Sequence, residues 1–407
     1  MSPFPLSGST QDDNDKPDVF RVMIVDDSAF IRGAIARALE GEPTLKIVSS
    51  VSNGEQAIKS LQRDPVDVIV LDIEMPVMDG MTALPKLKEI DGAVQIIMAS
   101  TLTQKNAEVS LKAMSLGATD YIPKPSSSHE VMAADDFKRE LVEKVKALGA
   151  LARRSEVRGP YLKLEEAKVA PKADDKTGKP VPPAAVGAVP PRVGIVLGAQ
   201  AKKEVILRKD PVIKPSIIAI GSSTGGPQAL FRVIKDMGNG LPQPIVITQH
   251  MPPSFTTILA EHISRQCGVV CCEAKEGDVL KAGQYYVAPG DFHMLIETKG
   301  TQGPTVHLTK DPQENFCRPA VDPMLRSLVR VYGKSILVVI LTGMGQDGMK
   351  GSAVVTEAGG SVIAQDEASS VVWGMPGAVA VAGLCSSILP IGEIGGFVRQ
   401  AAVRGRP

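Results

Sequence analysis

Short apolar runs, each followed by an amphipathic stretch, recur along this chain in two separate blocks. In the first block the runs are VFRVMIV, LKIVSS, VDVIVLD, VQIIMAS and TDYIP. Between them lie helical patterns such as SAFIRGAIARALE, where Ile31, Ile35, Ala38 and Leu39 recur at the spacing of one helix face. Strands alternating with helices predict a parallel sheet flanked by helices. From Pro215 the alternation resumes with SIIAIG, PIVITQH, QYYVAPG, SILVVILTG and SVIAQDE. These runs are nearly continuous in apolar residues, as strands covered on both faces require. Between the blocks, Pro160, Pro171, Pro180, Pro182, Pro183, Pro190, Pro191 and Pro211 punctuate a stretch that cannot bury a core of its own. The expected organisation is a disordered extension over 1–18, a flavodoxin-like (βα)5 domain over 19–150, a proline-rich linker over 151–213, and a doubly wound, mostly parallel α/β domain over 214–405.

Charge narrows the functional classes. The 407 residues carry 45 Lys plus Arg and 45 Asp plus Glu, so no net charge draws the chain to nucleic acid or to an anionic membrane. Five cysteines without a CxxC pair leave an odd thiol, which suits a reduced cytoplasmic compartment. No apolar run reaches the ~18 residues of a membrane span, and the N-terminus lacks the basic-then-apolar order of a signal peptide.

In the first block Asp26 and Asp27 follow the first strand, Asp72 ends the third, Ser100 ends the fourth and Lys124 follows the fifth. Carboxyl ends of parallel strands open on one crevice, so these side chains can meet. Clustered carboxylates repel unless a hard cation sits among them, and oxygen ligands suit Mg²⁺. A carboxylate beside that ion can accept a phosphoryl group, with a lysine and a hydroxyl holding the new oxygens. The Asp26-Asp27 pair, LDIEMPVMDG and Lys124-Pro125 resemble a two-component response-regulator receiver. The resemblance implies that Asp72 is the phospho-acceptor and that Asp27, Asp72 and the Glu74 carbonyl ligate Mg²⁺, with Asp26 acting through water. It also implies that Ser100 is the switch hydroxyl, that Lys124 contacts the phosphate and that the Lys124-Pro125 bond is cis.

The second block opens with IGSSTGGPQ. A phosphate-binding P-loop would need Lys followed by Ser or Thr after the glycines, and Pro227-Gln228 stand there instead. Gly221-x-Ser223-x-Gly225 between a strand and a helix has the spacing of a nucleophile elbow. The helix start supplies free amides near a developing oxyanion. A serine needs a base and an orienting acid. His250, which ends PIVITQH, is the best-placed base; His293 is the second choice, and His129, His262 and His307 lie elsewhere. Asp347, just past a strand in VVILTGMGQDGMKG, is the acid candidate. A rival is written into the same segment. Gly343-x-Gly345-x-x-Gly348 after a strand, with Asp366 and Glu367 beyond it, fits a dinucleotide-binding loop and would make the chain a receiver-linked oxidoreductase.

Taken together, IGSSTGGPQAL, QHMPPSFT, GDVLKAGQYYVAPGDFHM, NFCRPAVDPML and ILTGMGQDGMKG resemble the chemotaxis protein-glutamate methylesterases, the CheB family. The resemblance implies a triad of Ser223, His250 and Asp347, with Met344 and Thr224 supporting the oxyanion. It implies hydrolysis of glutamate methyl esters, and deamidation of glutamines, on methyl-accepting chemotaxis receptors. A chemotaxis histidine kinase would supply the phosphoryl group, and the esterase chemistry would need no cofactor. In the family the unphosphorylated receiver covers the esterase site. Ser222 departs from the frequent alanine of the family without disturbing the frame of Ser223. A receptor-binding scaffold with a dead site is the non-enzymatic alternative.

Overall fold

The computed structural model describes residues 19–155 apart from 102 and 125–134, residues 205–209, and residues 214–404 apart from 299 and 301. The N-terminal extension, most of the proline-rich linker, His129 and the Lys124-Pro125 bond lie outside the described residues.

The first domain alternates strand and helix as the sequence predicts. Its strands are β1 (Phe20–Val25), β2 (Leu45–Val51), β3 (Val68–Asp72), β4 (Gln95–Ser100) and β5 (Asp120–Pro123). Its helices are α1 (Ala29–Leu39), α2 (Gly54–Arg63), α3 (Gly80–Ile90), α4 (Gln104–Ser115) and α5 (Asp135–Ser155). The strands form one parallel sheet in the order β2-β1-β3-β4-β5. Both faces of β3 are buried, which explains its unbroken apolar run. Four helices begin on a side-chain cap: Ser28, Asn53, Asp79 and Thr103 each accept from an amide of the first turn. Helix α5 continues to Ser155, five residues past the boundary expected from the sequence at 150.

The second domain holds β6 (Ile217–Ser222), α6 (Gly226–Met237), β7 (Ile245–Gln249), α7 (Phe255–Cys267), β8 (Val270–Glu273) and β9 (Gln284–Val287). A hairpin of β10 (His293–Thr298) and β11 (Pro304–Thr309) leads to α8 (Val321–Tyr332), β12 (Ile336–Ile340), α9 (Met349–Glu357) and β13 (Ser361–Gln365). Helix α10 (Met375–Val381), β14 (Ser387–Leu389) and α11 (Ile391–Arg404) close the chain. Seven parallel strands run in the order β14-β13-β12-β6-β7-β9-β8, and the hairpin is a separate antiparallel pair. The order reverses beside β6, so the carboxyl ends of β6, β7 and β12 open on one crevice. Residues 205–209, within the expected linker, lie on this domain: the Arg208 amide donates to the Cys385 carbonyl at 2.8 Å and its guanidinium to the Thr356 carbonyl at 3.3 Å.

The two domains share one apolar cluster. Tyr121 of β5 stacks on Phe255 of α7 with ring centroids 4.6 Å apart, and Gln228 of α6 donates to the Ala118 carbonyl at 3.0 Å. On α5, Arg139 lies over the Phe316 ring at 3.8 Å and Arg154 pairs with Glu367 at 3.3 Å. Among the described residues no helix is long and apolar enough to cross a membrane.

Phe255 is fully buried and joins the core of α7 to the first domain. Phe255→Ala should therefore cost about 3 to 5 kcal/mol. A fall in the denaturant midpoint of the full chain reads that loss, and an unchanged midpoint would remove Phe255 from the interface core.

Candidate active site

Two sites follow from the carboxyl ends of the two sheets. In the first domain, oxygens of Asp26, Asp27 and Asp72 lie within 4.8 Å of one another. Lys124 Nζ bridges Asp26 at 2.7 Å and Asp72 at 2.6 Å. Burial, and secondarily the charge of Asp26, push the Asp72 carboxyl up from 3.8 to about 6 despite the Lys124 contact. A hard divalent cation fits this donor set, since it would relieve the crowding of three carboxylates that one lysine does not offset. The Glu74 amide donates to Asp72 at 3.3 Å, while the Glu74 carboxylate turns outward to Lys105. Ser100 is buried at the end of β4, with its hydroxyl against Ser110 of α4 at 3.2 Å. Asp26, Asp27, Asp72 and Lys124 thus meet in one crevice, while Ser100 ends the neighbouring strand with its hydroxyl against α4.

In the second domain β6 delivers Ser222 and Ser223 to the crevice. The Ser222 hydroxyl is fully buried and donates to the Gln249 side chain at 2.7 Å. Gln249 in turn donates to the carbonyls of Ser223 at 2.9 Å and His250 at 3.2 Å, which ties the ends of β6 and β7 together. Ser223 is half-buried and lines the cleft. The strand-to-helix turn is not strained at the serine: the positive φ falls on Gly225, at 73°, where no side chain opposes it. The expected nucleophile elbow is therefore an elbow in spacing, with its left-handed residue two places later. Helices α6 and α9 start after Gly225 and Gly348 without an N-cap side-chain bond, but the Gly226 amide donates to the Ser223 carbonyl at 2.7 Å, the Gly351 amide donates to Asp322 at 2.6 Å, and Pro227 has no N–H. Thr224 is buried beside them, and its hydroxyl oxygen has no hydrogen-bond partner among the described residues. Met344 lines the same cleft.

His250 Nε2 lies 2.8 Å from Asp347 Oδ2. Asp347 is buried and accepts from the amides of Val321 at 2.6 Å, Asp322 at 3.1 Å and Gly348 at 2.9 Å, and from Asn315 Nδ2 at 2.9 Å. Burial works against the charged carboxylate, but the His250 bond and these amides hold its pKa below the ordinary value. Neighbouring Asp322, also fully buried, is pushed up by burial and by the charge of Asp347. Burial would push His250 down; the charge of Cys317 and the Asp347 hydrogen bond outweigh it and hold the imidazole well above its ordinary value.

The other histidine candidate is accounted for. Both ring nitrogens of His293 are used structurally, one against the Pro312 carbonyl at 3.1 Å and the other accepting the Ala320 amide at 3.2 Å. The dinucleotide reading is not supported. A Cβ on Gly343 would stand 2.9 Å from Ser223 Cβ and 2.4 Å from Met375 Sδ, so the space beside that glycine is filled by protein. Asp366 caps its own turn through the Ser369 amide at 2.9 Å, and Glu367 pairs with Arg154.

One expected contact is not made. Among the described residues no hydrogen bond joins the Ser223 hydroxyl to His250; the second ring nitrogen, Nδ1, lies 3.3 Å from Cys317 Sγ. Sequence reasoning passed over Cys317, Asn315 and Asp322, although all three lie in NFCRPAVDPML. The signal available was a thiol and an amide inside a motif already marked as functional. A cleft of about 670 Å³ separates the domains, with Ser223, His250 and Met344 on one wall and Tyr121, Arg139 and Lys144 on the other.

Comparison with known proteins matches residues 218–398 to the CheB methylesterase family and residues 22–135 to the response regulator receiver domain. A protein-glutamate methylesterase/protein-glutamine glutaminase of group 2 operon from Rhodospirillum centenum is 58% identical over 393 residues, covering 95% of each chain. A protein-glutamate methylesterase/protein-glutamine glutaminase from Azospirillum brasilense is 55% identical over 396 residues, covering 95% of this chain and 94% of its own. Among solved structures, the CheB methylesterase catalytic domain of Thermotoga maritima is 39% identical with a TM-score of 0.45, covering 46% of this chain and 99% of its own.

Two outcomes test the sites. Gly343→Ala should lower kcat at least about 100-fold, because displacing reacting groups by an ångström costs that much, and it should leave the far-ultraviolet spectrum intact. Added Mg²⁺ should raise the Tm of the full chain at pH 7 and raise it less at pH 5, where Asp72 holds a proton that the ion must displace. Asp72→Asn should lose most of that rise in scanning fluorimetry.

Proposed function

This chain belongs to the CheB methylesterase family, with a response-regulator receiver ahead of the catalytic part, and on that premise we propose a phosphorylation-controlled hydrolase acting through Ser223, His250 and Asp347. It hydrolyses glutamate methyl esters and deamidates glutamines on proteins, the activities its relatives are named for. Its protein substrates are the methyl-accepting chemotaxis receptors, and its phosphodonor is a chemotaxis histidine kinase. The observation that carries the reading is the His250–Asp347 bond in a cleft that Ser223 also lines.

Asp347 accepts the proton on Nε2, so Nδ1 is left to act as the base. Ser223 Oγ attacks the acyl carbon while its proton passes to His250. The charge that develops on the carbonyl oxygen faces the positive end of α6, with Thr224 and the Met344 segment beside it. His250 returns the proton to the departing methoxy or amino group, which leaves as methanol or ammonia, and water then releases the glutamate through the acyl-enzyme by a second attack with the same proton transfers. Deamidation and demethylation differ only in the leaving group.

Receiver chemistry sets when this happens. Asp26, Asp27 and Asp72 would hold Mg²⁺, which when bound screens the carboxylates so that Asp72 can take a phosphoryl group. Lys124 and Ser100 would contact the phosphate. We read this arrangement as the closed one, since β5 and α5 form the wall of the cleft opposite Ser223 and stand in the way of a receptor helix. Phosphorylation at Asp72 relaxes that closure.

The decisive measurement is methanol release from methylated receptor membranes, with and without a small-molecule phosphodonor. Ser223→Ala should lose about 10³-fold or more in kcat, as removal of a triad serine does. Asp72→Asn should keep the unstimulated rate and lose the stimulation. Full activity in Ser223→Ala would end the triad assignment, and stimulation retained in Asp72→Asn would end the phosphorylation site.

A further inference from the structure

Cys317 sits at the end of a turn whose geometry is unusual. Glu314 and Cys317 exchange backbone hydrogen bonds at 3.2 and 2.9 Å across two residues, Asn315 and Phe316. Both have positive φ, 52° and 63°, a conformation that side chains with a Cβ adopt only at a cost of roughly 1 to 3 kcal/mol each. The turn is held at both central residues. Asn315 Nδ2 donates to Asp347 at 2.9 Å and to Asp322 at 3.1 Å. Phe316 is 68% exposed and stands under the Arg139 guanidinium of the receiver. The residue that this strained turn delivers to the site is Cys317, with its sulfur 3.3 Å from His250 Nδ1.

That nitrogen is the one the hydrolysis needs. Nε2 is committed to Asp347, and among the described residues Ser223 makes no hydrogen bond to the ring. We propose that Cys317 gates the reaction: its sulfur occupies the proton-accepting nitrogen of His250 in the closed enzyme, and Ser223 becomes a nucleophile only when the Glu314–Cys317 turn gives that nitrogen up. The inference rests on the triad reading above. The receiver touches the turn directly through Arg139, so receiver position and histidine availability share one physical link.

The charges around the ring agree with this assignment. Asp347 faces it from the loop before α9, with Asp322 of α8 behind, and Cys317 faces it from the turn. Arg318, already paired with Asp291 at 2.6 Å, and Arg139, Glu140, Glu143 and Lys144 of α5 line the same cleft. Burial opposes an imidazolium, while Cys317 and then Asp347 favour one strongly enough to raise the histidine well above its ordinary pKa. A base held protonated is no base, so the acid limb of the pH–rate profile reports the gate.

The test uses the full unphosphorylated chain and p-nitrophenyl acetate, a small acyl ester that needs no receptor helix to enter. Cys317→Ala should raise kcat at pH 7 about tenfold, the factor for one lost charge-assisted hydrogen bond. It should move the acid limb to lower pH and leave KM unchanged. Cys317→Ser, close to the native shape but with a hydroxyl in place of the thiol, should shift the limb in the same direction by less. An acid limb unmoved in both variants would overturn the gate. Loss of turnover in Cys317→Ala with turnover kept in Ser223→Ala would overturn it too, since the thiol would then be the nucleophile. Ser223→Ala run beside them separates the two claims: if it alone is inactive, the triad stands whatever Cys317 does.

Discussion

Everything in the catalytic half turns on a buried carboxylate that stays charged. Asp347 lies at the bottom of the crevice with almost no solvent, where an isolated charge would not survive. Three backbone amides, one side-chain amide and an imidazole supply what water would have supplied. Those donors come from α8, from the loop before α9, from the strained turn and from the end of β7. One ion therefore fixes the relative positions of four chain segments far apart in sequence. The neighbouring Asp322 bears the consequence, since a second full charge at that depth is disfavoured and its carboxyl is pushed up.

The closed arrangement has the same character. The receiver packs α4 against α6 and α7 of the catalytic domain and adds a few specific side-chain contacts. These are an aromatic stack at Tyr121–Phe255, a side-chain amide at Gln228, a cation over Phe316 and an exposed ion pair at Glu367. The stack is buried and contributes to the shared core, whereas the exposed pair contributes little. Such an interface can be tight enough to persist and specific enough to respond to a change at one strand end.

Much of this was legible in the sequence. Continuous apolar runs gave both parallel sheets, because strands buried on two faces leave no polar alternation to misread. Residues at strand ends gave both crevices, since topology alone brings Asp26, Asp72 and Lys124 together, and likewise Ser223, His250 and Asp347. What stayed hidden depends on distances no pattern records. Asn315-Phe316 does not announce a tight turn as Asn-Gly would, so the delivery of Cys317 to His250 has no sequence signature. Strand β8, half-exposed and four residues long, carries too little apolar signal to be seen. The docked segment 205–209 looks like linker because its anchors are backbone carbonyls contributed by another part of the chain. The rival dinucleotide loop matched in spacing and failed in space, where Ser223 and Met375 fill the gap beside Gly343.

Helix α5 touches the catalytic domain at two points, Arg139 over Phe316 and Arg154 against Glu367, fifteen residues apart on one rod. At 1.5 Å per residue these points are about 22 Å apart, so a tilt of roughly 10° about the Arg154 end sweeps the Arg139 end through about 4 Å. The helix is thus a lever arm. A rotation too small to separate the domains is already large enough to lift the guanidinium off the ring, so mechanical advantage, rather than full dissociation, sets how little motion the enzyme needs in order to respond.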